Sequence, residues 1–344
     1  MPRFKFSAGP WNVHSGADSY GPATRAEIPL EEKIKKFAEL GFSAVQFHDD
    51  DAVPGINDLN EDQIRAEARK VKALLDTYGL AAEFVAPRLW MDPRTADGGY
   101  LSTSEKDREY ALWRSFRSID IAKELGAGML VLWLAREGTL CAETKSPVWA
   151  TEKLIEALNA MLDYDSGIRI AIEPKPNEPV DRSICGTAGH ALGLAAAVKD
   201  PGRVGVNVES AHAVLAGLDP ACEMGFALAM GKLWTVHLND QNGIKFDQDK
   251  SFGAENLRSA FNQVKLLIEN NYGSKGEYVG LDVKAMRTTR DGESYKHLRN
   301  SLEIFRALEE KALRFDYAFQ KKCLENRDFE ALEMYTMKLL MGLA

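Results

Sequence analysis

Residues 104–133, SEKDREYALWRSFRSIDIAKELGAGMLVLW, hold a complete helix pattern, its stop signal and the strand that follows. The amphipathic stretch Ser104–Leu125 ends at Glu124-Leu125-Gly126, where glycine supplies the left-handed conformation that closes a helix. Met129–Trp133 is then a short, continuously apolar run, as expected of a strand buried on both faces. The same order occurs upstream, where Leu30–Leu40 is amphipathic, Glu39-Leu40-Gly41 closes it and Ala44–Phe47 is the strand. Reading outward gives eight strand candidates: Phe4–Ser7, Ala44–Phe47, Ala82–Val85, Met129–Trp133, Ile168–Glu173, Val204–Glu209, Trp234–Leu238 and Tyr278–Val283. Helical stretches such as Glu61–Tyr78 lie between them, and the spacing of ~30 to 45 residues is that of a βα unit. Eight such units predict an α/β fold, a parallel (β/α)8 TIM barrel. A doubly wound sheet competes, but no GxGxxG follows the first strand. The barrel accounts for residues 1–308. Residues 309–344 are charged and helical in pattern, and are expected to form a C-terminal helical extension on the barrel or on a neighbouring subunit.

Composition narrows the function classes. The 344 residues are 45% apolar and 27% charged, which suits a globular protein with a large core and excludes disordered and fibrous classes. There are 43 basic and 51 acidic residues, a formal charge of −8. That balance disfavours nucleic acid as a partner, since phosphate contacts need clustered Lys and Arg. Cys141, Cys185, Cys222 and Cys323 form no CxxC pair and are expected as reduced, mostly buried thiols. The opening MPRFKFSAGP lacks a signal-peptide core, and the longest apolar run, near Met129 to Ala135, is far short of a membrane span. A cytoplasmic protein with no membrane partner is expected.

Ionisable residues gather where the predicted strands end. Strand two closes with His48-Asp49-Asp50-Asp51, strand five with Glu173-Pro174-Lys175, and strand six with Glu209 followed by His212. His237 lies at the end of strand seven, and Asp282-Val283-Lys284 at the end of strand eight. In a TIM barrel these ends converge on the active site. Inward carboxylates are costly unless paired or bound to a cation, and several together repel. The loop after strand seven adds Asp247 and Asp249, two carboxylates at i and i+2 that can grip one cation, a candidate second site beside Glu209 and His212. Mixed oxygen and nitrogen donors suit Mg²⁺, Mn²⁺ or Co²⁺ better than a thiolate-bound zinc. Two divalent cations and Lys175 would balance Glu173, Glu209, Asp247, Asp249 and Asp282, leaving a neutral site suited to an uncharged polyol.

These segments resemble the xylose (glucose) isomerase family from Phe4 to about Leu308. The matching stretches are FHDDD (47–51), DGGY (97–100), AREG (135–138), IEPKPNEP (172–179), GVN (205–207), QNGIK (241–245) and FDQD (246–249). The resemblance implies an aldose–ketose isomerase with two divalent cations per subunit. One would be held by Glu173, Glu209, His237 and Asp282, the other by Glu209, His212, Asp247 and Asp249. His48, oriented by Asp51, would assist ring opening, and Lys175 would polarise the C1 oxygen while hydride shifts from C2 to C1. Trp11, Trp90 and Trp133 would wall the monosaccharide pocket. A homodimer or homotetramer is implied too, with Tyr20 of GADSYGPATR (16–25) offered to a neighbouring subunit's site.

The chain departs from the family at four places. His237, in TVHLN (235–239), stands where these isomerases usually have an aspartate, and is similar to rhamnose isomerases and tagatose-type epimerases. NVESAH (207–212) replaces NPEVGH, LDVKA (281–285) replaces FDFKP, and Ala86-Pro87-Arg88 replaces small polar residues at the sugar's far end, which makes Arg88 an expected substrate contact. Xylose/xylulose or glucose/fructose interconversion is therefore the first expectation, and a sugar epimerase or rhamnose-type isomerase the second. A metal-dependent phosphodiesterase would need more than six histidines and a basic surface, and a silent sugar-binding relative would not keep every ligand plus Lys175. Asp49 and Asp50 are expected to buttress their loop or face solvent, and His190 and His297 to be structural. His14 has no legible partner, and Glu178-Pro179 is a candidate cis peptide bracing the second metal site.

Overall fold

In the computed structural model, which describes residues 4–244 and 246–343, eight strands pair in chain order and close on themselves. They are β1 (Phe6–Ala8), β2 (Ala44–His48), β3 (Ala81–Ala86), β4 (Met129–Trp133), β5 (Arg169–Glu173), β6 (Val204–Glu209), β7 (Leu233–Leu238) and β8 (Val279–Leu281). All neighbouring pairs are parallel, and Phe6 of β1 sits opposite Val279 of β8, so no strand edge is left open. Each strand is followed by a helix: α1 (Leu30–Leu40), α2 (Glu61–Tyr78), α3 (Glu105–Leu125), α4 (Pro147–Tyr164), α5 (Ala188–Ala197), α6 (Pro220–Ala229), α7 (Leu257–Glu269) and α8 (Lys296–Leu313). The architecture is the expected TIM barrel. Gly41 and Gly126 end α1 and α3 at φ 88° and 77°, the left-handed caps that the sequence pattern required.

The expected boundary after Leu308 falls inside α8, which runs on to Leu313. Two further helices follow, α9 (Tyr317–Asn326) and α10 (Phe329–Met341). They pack back on the barrel's outer layer, where Lys311 Nζ donates to the Leu339 carbonyl (2.8 Å). Of the four free cysteines, Cys185 and Cys323 are buried but Cys141 and Cys222 are exposed, so only half match the buried expectation. Among the described residues no helix is long and apolar enough to cross a membrane. Lys245 of the QNGIK segment lies outside the described residues.

Apolar side chains fill the space between strands and helices, with Phe37, Phe47, Phe261 and Phe305 fully buried there. The barrel interior is different. Phe84, Met129, Val131 and Ala171 form a small apolar plug, accompanied by the buried polar side chains of Ser7, Gln46, Glu83 and Thr235.

Two buried carboxylates hold the loops at the C-terminal mouth. Asp49, fully buried just after β2, takes a bidentate pair from Arg114 of α3 (Nε–Oδ2 2.7 Å, Nη2–Oδ1 2.8 Å) and a hydroxyl bond from Ser118 (3.1 Å). Asp49 therefore buttresses its loop as expected, by anchoring the His48–Asp51 turn to a helix. Glu137 accepts from the backbone N–H groups of Gly99, Tyr100 and Leu101 (2.8, 3.0 and 2.9 Å), tying the DGGY and AREG segments together. Removing one member of a buried pair strands the other's charge. Arg114→Met is expected to lower the unfolding free energy by about 3–5 kcal/mol, read by chemical denaturation; a loss under about 1 kcal/mol would show that the pair is solvated.

Candidate active site

Four strands deliver four donors to one point. β5 and β6 end on Glu173 and Glu209, His237 is the penultimate residue of β7, and Asp282 follows β8 directly. His237 Nδ1 lies 3.4 Å from Glu173 Oε2 and 3.6 Å from both Glu209 Oε2 and Asp282 Oδ2. One donor atom from each of the four stands within 4.8 Å of the others, as required of ligands at about 2.0–2.6 Å from a shared cation. Both ring nitrogens of His237 are buried and lack a hydrogen-bond partner. An imidazole nitrogen left bare among three carboxylates fits a divalent cation between them.

Glu209 also borders a second group. Its Oε1 is 3.3 Å from His212 Nε2, which is 3.1 Å from Asp247 Oδ2. Burial drives the Glu209 carboxyl well above its usual range; the charge of His212 opposes this, while those of Asp247, Asp282 and Glu173 reinforce it. Burial also disfavours a charged His212, but Glu209 and Asp247 overcome it and lift the imidazole to about 9. One imidazole nitrogen and two carboxylate oxygens within 4.8 Å of one another are a donor set that fits a divalent cation as well. Lys175 closes the group from the side, its Nζ 2.9 Å from Asp247 and 3.1 Å from Glu178. Despite burial, which opposes it, those two carboxylates hold the ammonium well above the usual lysine range. The Glu178-Pro179 peptide is cis, and Glu178 Oε2 accepts the Asp247 N–H (2.9 Å).

Asp249 stands beside this group rather than within it. Its Oδ2 pairs with Lys284 (2.9 Å) and its Oδ1 accepts from Asn239 (3.1 Å). Burial, and then the Asp247 charge, push its carboxyl up to about 7. Lys284, two residues beyond Asp282, reaches this aspartate first, a contact that strand alternation does not reveal.

Aromatic rings run from the first group to Lys175. Trp11 Nε1 donates to Asp282 Oδ1 (2.8 Å), and its ring centroid is 4.2 Å from that of His48. His48 meets Trp90 edge-on (5.1 Å), Trp90 meets Trp133 edge-on (4.4 Å), and Lys175 Nζ lies 5.0 Å from the Trp133 ring centroid. His48 Nδ1 is 3.0 Å from Asp51 Oδ2, and its Nε2 carries no hydrogen bond among the described residues. Burial raises the Asp51 carboxyl, but the bond and charge of His48, with Arg88, bring it down to about 2. Arg88, expected against the sugar, instead turns its guanidinium onto Asp50 (3.0 Å) and Asp51 (3.1 Å) and touches His48 Nδ1. The run of acids after β2 captures the nearest cation, so Arg88 braces His48 from behind. Tyr20 is 86% exposed and outside this wall.

Sequence reasoning missed the amides that hold the acids. Asn207 donates to Glu173 Oε2 (2.6 Å), and Asn12 donates to Asp282 Oδ1 (3.3 Å) and the Val283 carbonyl (2.9 Å). Asn239 Nδ2 serves Glu209 (2.8 Å), Asp249 (3.1 Å) and the Asp282 carbonyl (2.9 Å). Alternation held a clue for two of them: Asn207 is two residues before Glu209, and Asn239 two after His237. Gly280 is a third kind of omission. A Cβ there would collide with the Gln46 amide, with the Val236 carbonyl (2.7 Å) and with the His237 ring (2.9 Å). Amides that orient donors control affinity. Asn239→Ala is expected to weaken Mn²⁺ binding to EDTA-treated protein about 10- to 100-fold, followed by electron paramagnetic resonance; unchanged affinity would show the carboxylates to be self-supporting.

Comparison with known proteins gives the lineage of the barrel. The model of the xylose isomerase-like TIM barrel family matches residues 34–311. A xylose isomerase from Thermus thermophilus is 36% identical over 320 residues, 91% of this chain and 81% of that protein. Among solved structures, a D-tagatose 3-epimerase-like protein shares 19% identity at a TM-score of 0.63, covering 88% of this chain and 98% of its own. The 3-keto-D-glucoside 4-epimerase from E. coli shares 16% at 0.61, covering 88% and 99%. The two epimerase structures share the fold at these identities, whereas the first two matches fix the lineage: the chain belongs to the xylose isomerase-like TIM barrel family.

Proposed function

We propose that the protein is an aldose–ketose isomerase, interconverting xylose and xylulose or glucose and fructose by hydride shift between C2 and C1. The observation that carries this reading is the second donor group, Glu209, His212 and Asp247, sharing Glu209 with the first and flanked by Lys175. A hydride moves between adjacent carbons when both their oxygens are polarised together, and Mg²⁺, Mn²⁺ or Co²⁺ in the two groups would supply that polarisation. Glu173, Glu209, His237 and Asp282 would hold one cation, and Glu209, His212 and Asp247, with Asp249 once freed from Lys284, the other.

The remaining steps belong to side chains. Asp51 and Arg88 hold the ring at His48 Nδ1, which leaves Nε2 to take and return the proton that ring opening moves between sugar oxygens. The Lys175 ammonium, fixed by Asp247 and Glu178, donates to the C1 oxygen as negative charge builds there. Trp11, Trp90 and Trp133 offer apolar faces to the sugar's C–H bonds and keep water from the migrating hydrogen. Tyr20, exposed on its loop, would complete a neighbouring subunit's pocket in a homodimer or homotetramer. A second reading is an epimerase with a single cation. The histidine at 237 in the first group favours it, and the second group with its lysine opposes it.

Treatment with EDTA is expected to abolish turnover of xylose or glucose, and Mg²⁺, Mn²⁺ or Co²⁺ to restore it; chelator-resistant turnover would remove the metal chemistry. With xylose deuterated at C2, the label is expected at C1 of xylulose. Loss of the label to water would instead establish proton transfer through an enediol, and a product epimeric at C3 would establish the second reading. Lys175→Ala is expected to lower kcat about 10²- to 10³-fold with little change in the circular dichroism spectrum, and a rate near wild type would refute its role at C1.

A further inference from the structure

Two strands on opposite sides of the barrel each carry one residue too many. Val45 pairs with Ala82 but Phe47 with Val85, so β3 gains a residue on β2. Val206 pairs with Leu233 but Asn207 with Thr235, so β7 gains one on β6. Such a bulge re-aims side chains and turns two consecutive ones towards the same side. In β3 these are Phe84, whose ring is 5.8 Å from that of His237, and Glu83, which accepts from Gln46 Nε2 (3.0 Å) and, across the lumen, from Thr235 Oγ1 (2.6 Å). In β7 they are Thr235 and Trp234, whose indole occupies the space where a Cβ on Gly205 would stand.

The two bulges frame a cavity of about 300 Å³ at the N-terminal end of the barrel, opposite the mouth, with Glu83, Trp234 and Tyr278 in its lining. Glu83 is only 7% exposed, its hydrogen bonds come from neutral donors, and no described Lys, Arg or His lies within ion-pairing distance of it. The basic residues around the cavity form no ion pair with it: Arg169 and Lys232 are laid over Trp234, 5.0 and 5.6 Å from the ring centroid, and Lys275 is exposed on a loop. A buried carboxylate without an opposite charge opposes folding, and this face of a TIM barrel ordinarily serves stability alone. A carboxylate at the base of an aromatic-walled cavity is the chemistry that recognises an organic ammonium ion.

We propose that this cavity binds a small primary ammonium compound, its charged end on Glu83 and its aliphatic stem along Trp234 and Tyr278. The site is separate from the sugar chemistry at the other end of the barrel and stands whether or not that reading holds.

Titration calorimetry on the full-length protein tests it with three probes of one length: n-butylamine, n-butanol and butyrate. n-Butylamine is expected to bind saturably, with the neutral and anionic probes at least about tenfold weaker, and Glu83→Gln is expected to weaken the amine by about the same factor. Because Glu83 is buried, Ser274→Trp, on the exposed lip of the cavity, serves as a second variant and is expected to block the amine by filling the entrance. No binding of n-butylamine, equal binding of butanol or butyrate, or undiminished binding in either folded variant would overturn the proposal.

Discussion

Mutual repulsion among buried carboxylates is the force around which the mouth of this barrel is organised. Glu173, Glu209, Asp247, Asp249 and Asp282 are brought together from three strand ends and one loop, with little water to screen them. Each is met by something positive or donating. Asn207 supports Glu173, Asn239 supports Glu209, Trp11 and Asn12 support Asp282, Lys175 and His212 support Asp247, and Lys284 supports Asp249. Burial raises the Glu209 carboxyl well above its usual range, and Glu209 lies where the two donor groups meet.

A closed parallel barrel is well suited to this task. Strand alternation lets a β-end carry an inward acid and, two residues away, an amide that holds the acid of the neighbouring strand, as on β6, where Asn207, two residues before Glu209, donates to Glu173 of β5. The scaffold that carries these pairs is itself pinned by charge. Asp49 and Arg114 hold the turn bearing His48, and Glu137 holds the segment after β3 against the one after β4. Rigid support of this kind keeps opposing groups at fixed separation, which a bistable or loosely packed mouth would not.

Much of the barrel was legible from local signals. The strands Met129–Trp133 and Val204–Glu209 and the helices Leu30–Leu40 and Glu61–Tyr78 coincide with their predicted ranges, since periodicity and glycine caps act within a few residues. The acids at the strand ends were readable because such ends must converge. What escaped detection depends on distant partners. The Asp49–Arg114 pair spans 65 positions, Arg88 turns to a neighbouring loop, and Lys284 takes Asp249 from another strand. Glu83 is the clearest example: simple alternation cannot place both it and Phe84 inside, and only the slip in register does.

The hydrogen-bonded tier of Ser7, Gln46, Glu83 and Thr235 crosses the hollow of the barrel from wall to wall. It lies between the donor groups at the mouth and the cavity at the N-terminal end. The two ends of the barrel thus share a polar partition, and a change at one end reaches the other through the stiffness of that tier.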